Sequence, residues 1–272
     1  MQSFAEKVAV VTGAGSGIGR ALASELAARG CNLALADVDS NSLESTAATL
    51  RREGLHLSTH TLDVSDRESV HAFADKVLTQ HGQVNLVINN AGVAVSQTIA
   101  ELRYDDFEWL MGINFWGVVH GTKAFLPHLL ARGEGHIVNV SSIFGIVSMP
   151  TQGAYNASKF AVRGFTEALR QELCETAIKV SCVHPGGIRT NIARSARFYQ
   201  GIDGKTDASK AAARFDKLAR TSAEQAAQSI IKGIQAGRPR ILIGADARFL
   251  DHIQRLMPAS YPRLLSKLLK KT

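Results

Sequence analysis

Four glycines within seven residues, at 13–19, follow directly on the first apolar run of this chain. That run, Val8-Ala9-Val10-Val11, is short and largely β-branched, as a buried parallel strand requires. After the glycines, Leu22 and Leu26 recur at helical spacing. A strand, a glycine turn and a helix in this order let the backbone approach a phosphate group, which the free N–H groups of the helix N-terminus stabilise. We therefore expect a strand–turn–helix unit with a phosphate site.

Predicted strands and helices alternate along the rest of the chain. Helices are expected from Leu43 to Arg52, from a capping box of Ser65 and Glu68 onward, and from about Asp105 to Leu130. Further strands are predicted at 32–37, 57–61, 86–88, 136–140, 178–183 and 240–243. This alternation predicts an α/β fold: a doubly wound parallel sheet of about seven strands with helices on both faces, in a single domain over 1–272.

Composition limits the class of protein and its partners. The chain is 45% hydrophobic and 20% charged, and no apolar run reaches the ~18 residues of a transmembrane helix. Its three cysteines suit buried thiols in a reducing cytoplasm, and no Cys or His spacing predicts a metal site. The net charge of +7 comes from cations after residue 150, which fit a solvated surface, an anionic substrate or an anionic membrane. We expect a cytoplasmic protein that binds no nucleic acid, because aromatic residues are few and no nucleic-acid motif occurs.

A tyrosine and a lysine stand four residues apart in Tyr155-Asn156-Ala157-Ser158-Lys159. On a helix these two side chains share one face, so the ammonium group lies beside the phenol. A free phenol has a pKa near ~10, and a nearby positive charge favours the phenolate. We therefore expect Lys159 to lower the pKa of Tyr155 and to make this tyrosine useful as a general acid or base.

The glycine spacing, with four later motifs, resembles that of the short-chain dehydrogenase/reductase family. The glycine turn has the form Thr-Gly-x-x-x-Gly-x-Gly. The later motifs follow in family order over roughly residues 5–245, and they are Asn89-Asn90-Ala91-Gly92, Ser142, Tyr155-x-x-x-Lys159 and Pro185-Gly186. The resemblance implies a Rossmann-like fold, hydride transfer with a nicotinamide cofactor, and a homodimer or homotetramer.

The same resemblance implies a role for each matching residue. Tyr155 would exchange the substrate proton, Ser142 would hold the substrate oxygen, and Lys159 would contact the nicotinamide ribose. Asn114, flanked by glycines in the predicted long helix, would bind a water that connects Lys159 to solvent, and local disruption of the helix is expected there. The residues implied to hold the cofactor are Gly13, Ser16, Gly17, Ile18, Gly19, Asp63, Val64, Asn90, Gly92, Tyr155, Lys159, Pro185, Gly186, Ile188 and Thr190.

Asp37, at the end of the second predicted strand, indicates which cofactor is used. It lies 18 residues after Gly19, close to the spacing at which an acidic residue meets the adenosine ribose. A carboxylate accepts hydrogen bonds from the ribose diol and repels a 2′-phosphate. Neither Ser16 nor Val38 supplies a cation for that phosphate, so NAD is predicted in preference to NADP. Asp37 could instead cap the following helix, although Asp39 could also fill that role.

The substrate is predicted only by class. Residues 143–150, opposite 93–95, are largely apolar, which favours a hydrophobic secondary alcohol or ketone. Residues 190–220 are polar and basic, and we interpret them as a substrate lid. Two alternatives stay open. One is an NADPH-dependent ketoreductase, including one that acts on acyl thioesters, and the other is a non-catalytic dinucleotide-binding protein. His184 is expected to be structural.

Residues 245–272 are predicted to form a C-terminal helical extension. Within it, 261–272 places leucines at 264, 265, 268 and 269 on one stripe among cations. A helix of about 12 residues is not stable alone in water, so the leucines must be covered. The covering surface could belong to the same chain, to another subunit, or to an anionic membrane. Family resemblance favours a protein surface.

Overall fold

The apolar runs form one fully parallel seven-stranded sheet in the computed structural model, which describes residues 3–269. The strands lie in the order β7-β6-β5-β4-β1-β2-β3, so the chain reverses direction across the sheet after β3. This confirms the predicted doubly wound fold. The strands are β1 (Val8–Thr12), β2 (Asn32–Asp37), β3 (Leu57–Thr61), β4 (Leu86–Asn89), β5 (Gly135–Val140), β6 (Ile178–Pro185) and β7 (Arg240–Ile243).

Helices cover both faces of the sheet, and those that pack on it present an apolar side to it. One buried cluster includes Leu22, Leu26 and Ile230, and the other includes Phe73 and Phe125. The helices are α1 (Gly17–Ala28), α2 (Ser40–Leu50), α3 (Arg67–His81), α4 (Tyr104–Met111), α5 (Gly117–Arg132), α6 (Gly153–Glu172), α7 (Ala208–Leu218), α8 (Ala223–Gln235), α9 (Ala245–Leu256) and α10 (Tyr261–Leu269).

The structure refines one helix prediction and corrects another. The predicted long helix from Asp105 to Leu130 is broken into α4 and α5 by a π-helical turn at Gly112–Trp116, which confirms the disruption expected around its glycines. The predicted capping box at Ser65 and Glu68 was wrong, because Asp66 caps α3 and accepts from the Glu68 N–H. The Ser65 hydroxyl instead donates to Asp63 at 2.7 Å.

The segment 190–220 contains more order than its sequence indicates. Within it, Arg197–Phe198 pairs with Val95–Ser96 and α7 occupies 208–218, while just outside it Thr221–Ser222 pairs with Ile188–Arg189. Cys174 also departs from expectation, since it is exposed whereas the other two cysteines are buried.

The C-terminal extension forms α9 and α10, and the start of α10 packs on the chain itself. Tyr261 and Leu265 are buried with Ile146 and Val147, and the Tyr261 hydroxyl accepts from the Ser148 N–H at 3.1 Å. The side chains of Leu268 and Leu269, and residues 270–272, lie outside the described part of the chain. Within that described part, no helix combines the length and apolar character needed to span a membrane.

Candidate active site

Ser142 and Tyr155 meet at the carboxyl end of β5. Ser142 follows the strand, and its hydroxyl hydrogen-bonds the Tyr155 phenol and accepts from the Phe144 N–H at 3.1 Å. The neighbouring Ser141 points the other way and donates to the Lys159 carbonyl at 2.7 Å. This division follows from the alternation of side chains along a strand, and it leaves Ser142 as the hydroxyl that faces the tyrosine.

The pKa of Tyr155 moves opposite to the prediction. Burial raises the pKa of the phenol above its usual value of about 10, and the hydrogen bond with Ser142 offsets only part of that rise. Phe144 contributes to this apolar surrounding, with its ring centroid 6.2 Å from that of Tyr155 in an edge-on arrangement. The phenol therefore holds its proton at neutral pH.

Lys159 lies beside Tyr155 but is itself desolvated. Its Nζ is 5.6 Å from the centroid of the Tyr155 ring and donates to the Val140 carbonyl at 3.1 Å. Burial lowers the pKa of Lys159 to about 8. Burial disfavours the charged form of each group and makes the largest contribution to both pKa values, so the expected lowering of the tyrosine pKa is not found.

Asn114 lies in the π-helical turn and is fully buried. Its side chain accepts from the Val93 N–H at 2.8 Å and donates to the Val93 carbonyl at 2.9 Å. Gly92 separates it from Lys159, since a Cβ built on this glycine would be 3.2 Å from Asn114 Oδ1 and 3.3 Å from Lys159 Nζ. The wide turn thus holds an amide next to the lysine, and such turns occur frequently at functional sites.

The glycine turn forms a cradle that larger side chains would fill. A Cβ on Gly19 would lie 2.0 Å from the Gly13 carbonyl oxygen, and Gly13 and Gly17 have φ values of +65° and +50°. Ser16 is the residue before α1, and its hydroxyl does not accept a hydrogen bond from the first N–H groups of α1. A helix N-terminus of this kind suits a pyrophosphate, and Ile18 lies in its first turn.

The Asn90 side chain connects the glycine turn to the end of β4. Its amide donates to the Thr12 carbonyl at 2.9 Å. The Thr12 hydroxyl in turn accepts from the Asn90 and Ala91 N–H groups at 3.0 and 3.1 Å. This role of the Thr12 hydroxyl was not predicted from the sequence, although Thr12 is the first residue of the glycine motif.

Asp37 lies at the end of β2, over the glycine turn. Its carboxylate accepts from the Gly15 N–H at 2.8 Å, while Asp39 caps α2. Arg20, which the sequence analysis did not consider, extends to the same corner. Its guanidinium donates to the Gly15 carbonyl and, at 2.9 Å, to the Thr46 hydroxyl.

Asp63 and Val64 follow β3, on the far side of β2. Asp63 is exposed and accepts from the Ser65 N–H at 2.9 Å. Val64 is buried against α5, where a Cβ on Gly117 would lie 2.7 Å from its methyl group. The carboxylate of Asp63 is therefore exposed at the end of β3, and packing against α5 fixes the backbone at Val64.

The loop after β6 lies between the glycine turn and α9. Thr190 comes close to the glycine turn, since its methyl group would be 3.1 Å from a Cβ on Gly17. Asp246, at the start of α9, accepts from the Gly187 N–H at 2.6 Å and leaves no room for a side chain at Gly186. The sequence analysis missed Asp246, because its contact with this loop spans 59 residues. Pro185 and Ile188 are buried in the same loop.

The predicted apolar lining is only partly near Tyr155. Ile143, Ile146 and Val147 are buried against α9 and α10, so they serve as core and not as a pocket edge. A different cluster, which includes Val93, Val95, Trp109, Leu110 and Ala154, packs with Tyr155. The surroundings of the phenol are therefore apolar, but other residues supply most of them.

A groove of about 550 Å³ adjoins Thr190 on the side of α7. Cations dominate its lining, and Asp216 forms an ion pair with one of them, Arg194. The lining residues are Arg189, Thr190, Asn191, Arg194, Asp216 and Lys217.

Comparisons with known proteins agree with this geometry. The model of a family described as short chain dehydrogenases matches residues 7–200. SadH of Mycobacterium tuberculosis, named as an oxidoreductase, is 49% identical over 269 residues, covering 98% of this chain and 96% of SadH. A Cα-dehydrogenase from a Sphingobium strain is 35% identical, with 95% and 89% of the two chains covered. A crystal structure of a short-chain dehydrogenase/reductase from Burkholderia phymatum, in complex with NAD, has a TM-score of 0.87 and 35% identity over 94% of this chain and 95% of that one.

Proposed function

The chain belongs to the short chain dehydrogenase family and is an oxidoreductase of that type, and on this premise we propose that it transfers a hydride between NAD(H) and an apolar secondary alcohol or ketone. The observation that carries the proposal is the meeting of Tyr155, Ser142 and Lys159 at the end of β5. Residues 90–92 connect the glycine cradle to this group, since Asn90 donates to the Thr12 carbonyl and a Cβ on Gly92 would lie 3.3 Å from Lys159 Nζ.

The residues of the cradle fit a dinucleotide. Gly13, Gly17 and Gly19 leave space for a pyrophosphate at the N-terminus of α1, and Asp37 would accept from the adenosine ribose. Thr190 would bond the nicotinamide amide, and Lys159 the nicotinamide ribose. When bound, the nicotinamide ring supplies or accepts the hydride.

Tyr155 moves the proton. In reduction, the buried phenol already carries a proton and donates it to the substrate oxygen, which the Ser142 hydroxyl holds in place. In oxidation, the phenolate accepts the alcohol proton. The Ser142 hydrogen bond and the Lys159 ammonium group both favour that anionic form. Asn114 would hold a water that returns the proton to solvent past Lys159.

NAD is proposed over NADP because Asp37 presents a carboxylate where a 2′-phosphate would lie. Arg20 is the cation near this corner, but its guanidinium is bonded to Gly15 and Thr46. It therefore offers little to a phosphate without giving up those bonds.

The apolar surroundings of Tyr155 support a hydrophobic substrate, while the cationic groove supports a second candidate. That groove suits an acyl thioester whose carrier bears negative charge. The two classes differ in their response to salt, because only turnover of the anionic substrate should weaken as ionic strength rises.

A dehydrogenase screen tests the proposal. Apolar secondary alcohols are offered with NAD⁺ or NADP⁺, and nicotinamide reduction is followed at 340 nm. Tyr155→Phe should lower turnover by ~10²–10⁴-fold while leaving NAD(H) binding nearly intact. A Tyr155→Phe protein that retains more than about a tenth of the wild-type rate would contradict the assigned proton transfer.

A further inference from the structure

The stretch 197–200 is hydrogen-bonded to residues 94–97, which follow β4. The Arg197 N–H donates to the Ala94 carbonyl and the Tyr199 N–H to the Ser96 carbonyl, both at 3.0 Å. The Ser96 hydroxyl also donates to the Gln200 carbonyl at 2.8 Å. The segment 190–220 is therefore joined to the body of the domain by a short parallel ladder.

The same residues 94–97 also contact the start of α6. The Gln97 N–H donates to the Thr151 carbonyl at 2.9 Å, and Gln97 forms a parallel bridge with Gln152. Thr151 has a φ of +64°, which a β-branched residue adopts only where its surroundings hold it. Tyr155 lies four residues further along the chain. The stretch 197–200 is thus connected, through residues 94–97, to the turn that begins α6.

The Arg197 side chain adds two contacts with α4. Its guanidinium pairs with Asp106 at 2.8 Å and stacks over the Trp109 ring, 3.6 Å from the ring centroid. The Asp106 side chain is only 5% exposed and also hydrogen-bonds Tyr199. Trp109 packs with the same apolar cluster as Tyr155.

We propose that Arg197 is a positioning residue that holds the segment 190–220 against the substrate side of the site. Without its guanidinium, Trp109 would lose its stacking partner, and the buried Asp106 carboxylate would lose its cation, an arrangement that is strongly unfavourable. The segment would then open more often, and the substrate would bind more weakly. The expectation for substrate binding rests on the proposed function, whereas the expectation for opening does not.

Limited proteolysis tests the opening without any substrate. Trypsin cleaves after lysine and arginine, and Lys205 and Lys210 lie in the segment. In Arg197→Ala, cleavage at these two lysines, followed by mass spectrometry, should be about 10- to 100-fold faster than in the wild type. The matched control is Arg214→Ala. This arginine is 39% exposed against 42% for Arg197, and its ion pair with Asp203, at 3.9 Å, lies within the segment. The control should be cleaved at the wild-type rate.

Steady-state kinetics tests the effect on the substrate. At saturating NAD⁺, Arg197→Ala should raise KM about tenfold or more with a smaller change in kcat, since Tyr155 and Ser142 are untouched. Arg197→Lys keeps the charge but loses the planar stacking, so its KM and its cleavage rate should be intermediate.

Wild-type cleavage and KM in both Arg197 variants would overturn the proposal. If the alanine variant fails to fold, as thermal unfolding would reveal, the lysine variant decides alone, and wild-type behaviour in it overturns the proposal. If the wild-type protein turns over no alcohol, the proposed function fails. The proteolysis result still decides whether Arg197 holds the segment 190–220, because that measurement needs no substrate.

Discussion

Two buried histidines should make the domain lose stability as the pH falls below neutral. His136 donates from Nε2 to the Ser181 hydroxyl oxygen at 2.8 Å, since that hydroxyl donates its own proton to the Arg238 carbonyl. His184 donates from Nδ1 to the Ser142 carbonyl at 3.0 Å. The second ring nitrogen of each is buried without a partner in the described part of the chain. A second proton on either ring would therefore create a charged group whose new N–H is buried without a hydrogen-bond partner.

The pKa values follow from this geometry. Burial lowers the pKa of His136 to about 3 and that of His184 to about 4, from an unfolded value near 6.5. The folded pKa is depressed, so the stabilisation is complete above pH 6.5 and is lost as the pH falls toward the folded values. Between pH 8 and pH 5 each histidine should lower the free energy of unfolding by about 2 kcal/mol, and the pair by about 4 kcal/mol.

Urea denaturation of matched variants measures this loss in the free energy of unfolding. His136→Gln and His184→Asn each place an amide nitrogen near the donor position and cannot titrate. The double variant should lose about 4 kcal/mol less than the wild type between pH 8 and pH 5, while contributions from carboxylates cancel in the comparison. The exposed His252→Gln serves as the control and should behave as the wild type. An equal loss in the double variant and the wild type would refute the reasoning.

Three further outcomes are expected. Asp37→Ala with Val38→Arg should shift kcat/KM toward NADP(H), because a repelling carboxylate is replaced by a phosphate-binding guanidinium; an unchanged ratio for the two cofactors would show that Asp37 does not meet the ribose. Gly19→Ala should abolish NAD(H) binding in calorimetry, since its Cβ would lie 2.0 Å from the Gly13 carbonyl oxygen; wild-type affinity would show that the turn is not the cradle. Deletion of 261–272 should lower the melting temperature by uncovering the residues that Tyr261 and Leu265 bury, and an unchanged melting temperature would show that this helix has no docking role.

The strands and the neighbouring positions of Ser142 and Tyr155 were predictable because both leave local signals. Buried parallel strands need continuous apolar runs, and alternation along β5 separates Ser142 from Ser141 within the sequence itself. The seven parallel strands were therefore within reach of the sequence. Asp37 ends β2 beside the glycine turn, as its spacing indicated, and Tyr155 lies close to Lys159 on α6.

Other features could not be predicted, either because neighbouring residues offer equivalent local choices or because distant contacts decide them. Both Ser65 and Asp66 can cap a helix, and only the bond from Ser65 to Asp63 decides between them. Arg197 forms an ion pair with Asp106, which lies 91 residues earlier in the chain. The direction of the Tyr155 pKa depends on how much water burial removes, which no four-residue spacing reports.

The π-helical turn at Gly112–Trp116 has a consequence for chain length. Its hydrogen bond runs from the Gly117 N–H to the Gly112 carbonyl, so the turn holds one residue more than an α-helical turn would. Each residue of a helix advances the side chains by roughly 100°. A deletion of one residue between Met111 and Gly117 would restore a regular helix, yet it would rotate Asn114 relative to α5 and take its amide away from Val93. A relative with one residue fewer in this stretch would have a regular α-helix but could not keep the amide beside Lys159. A one-residue gap here in an alignment is therefore more informative about the site than a substitution.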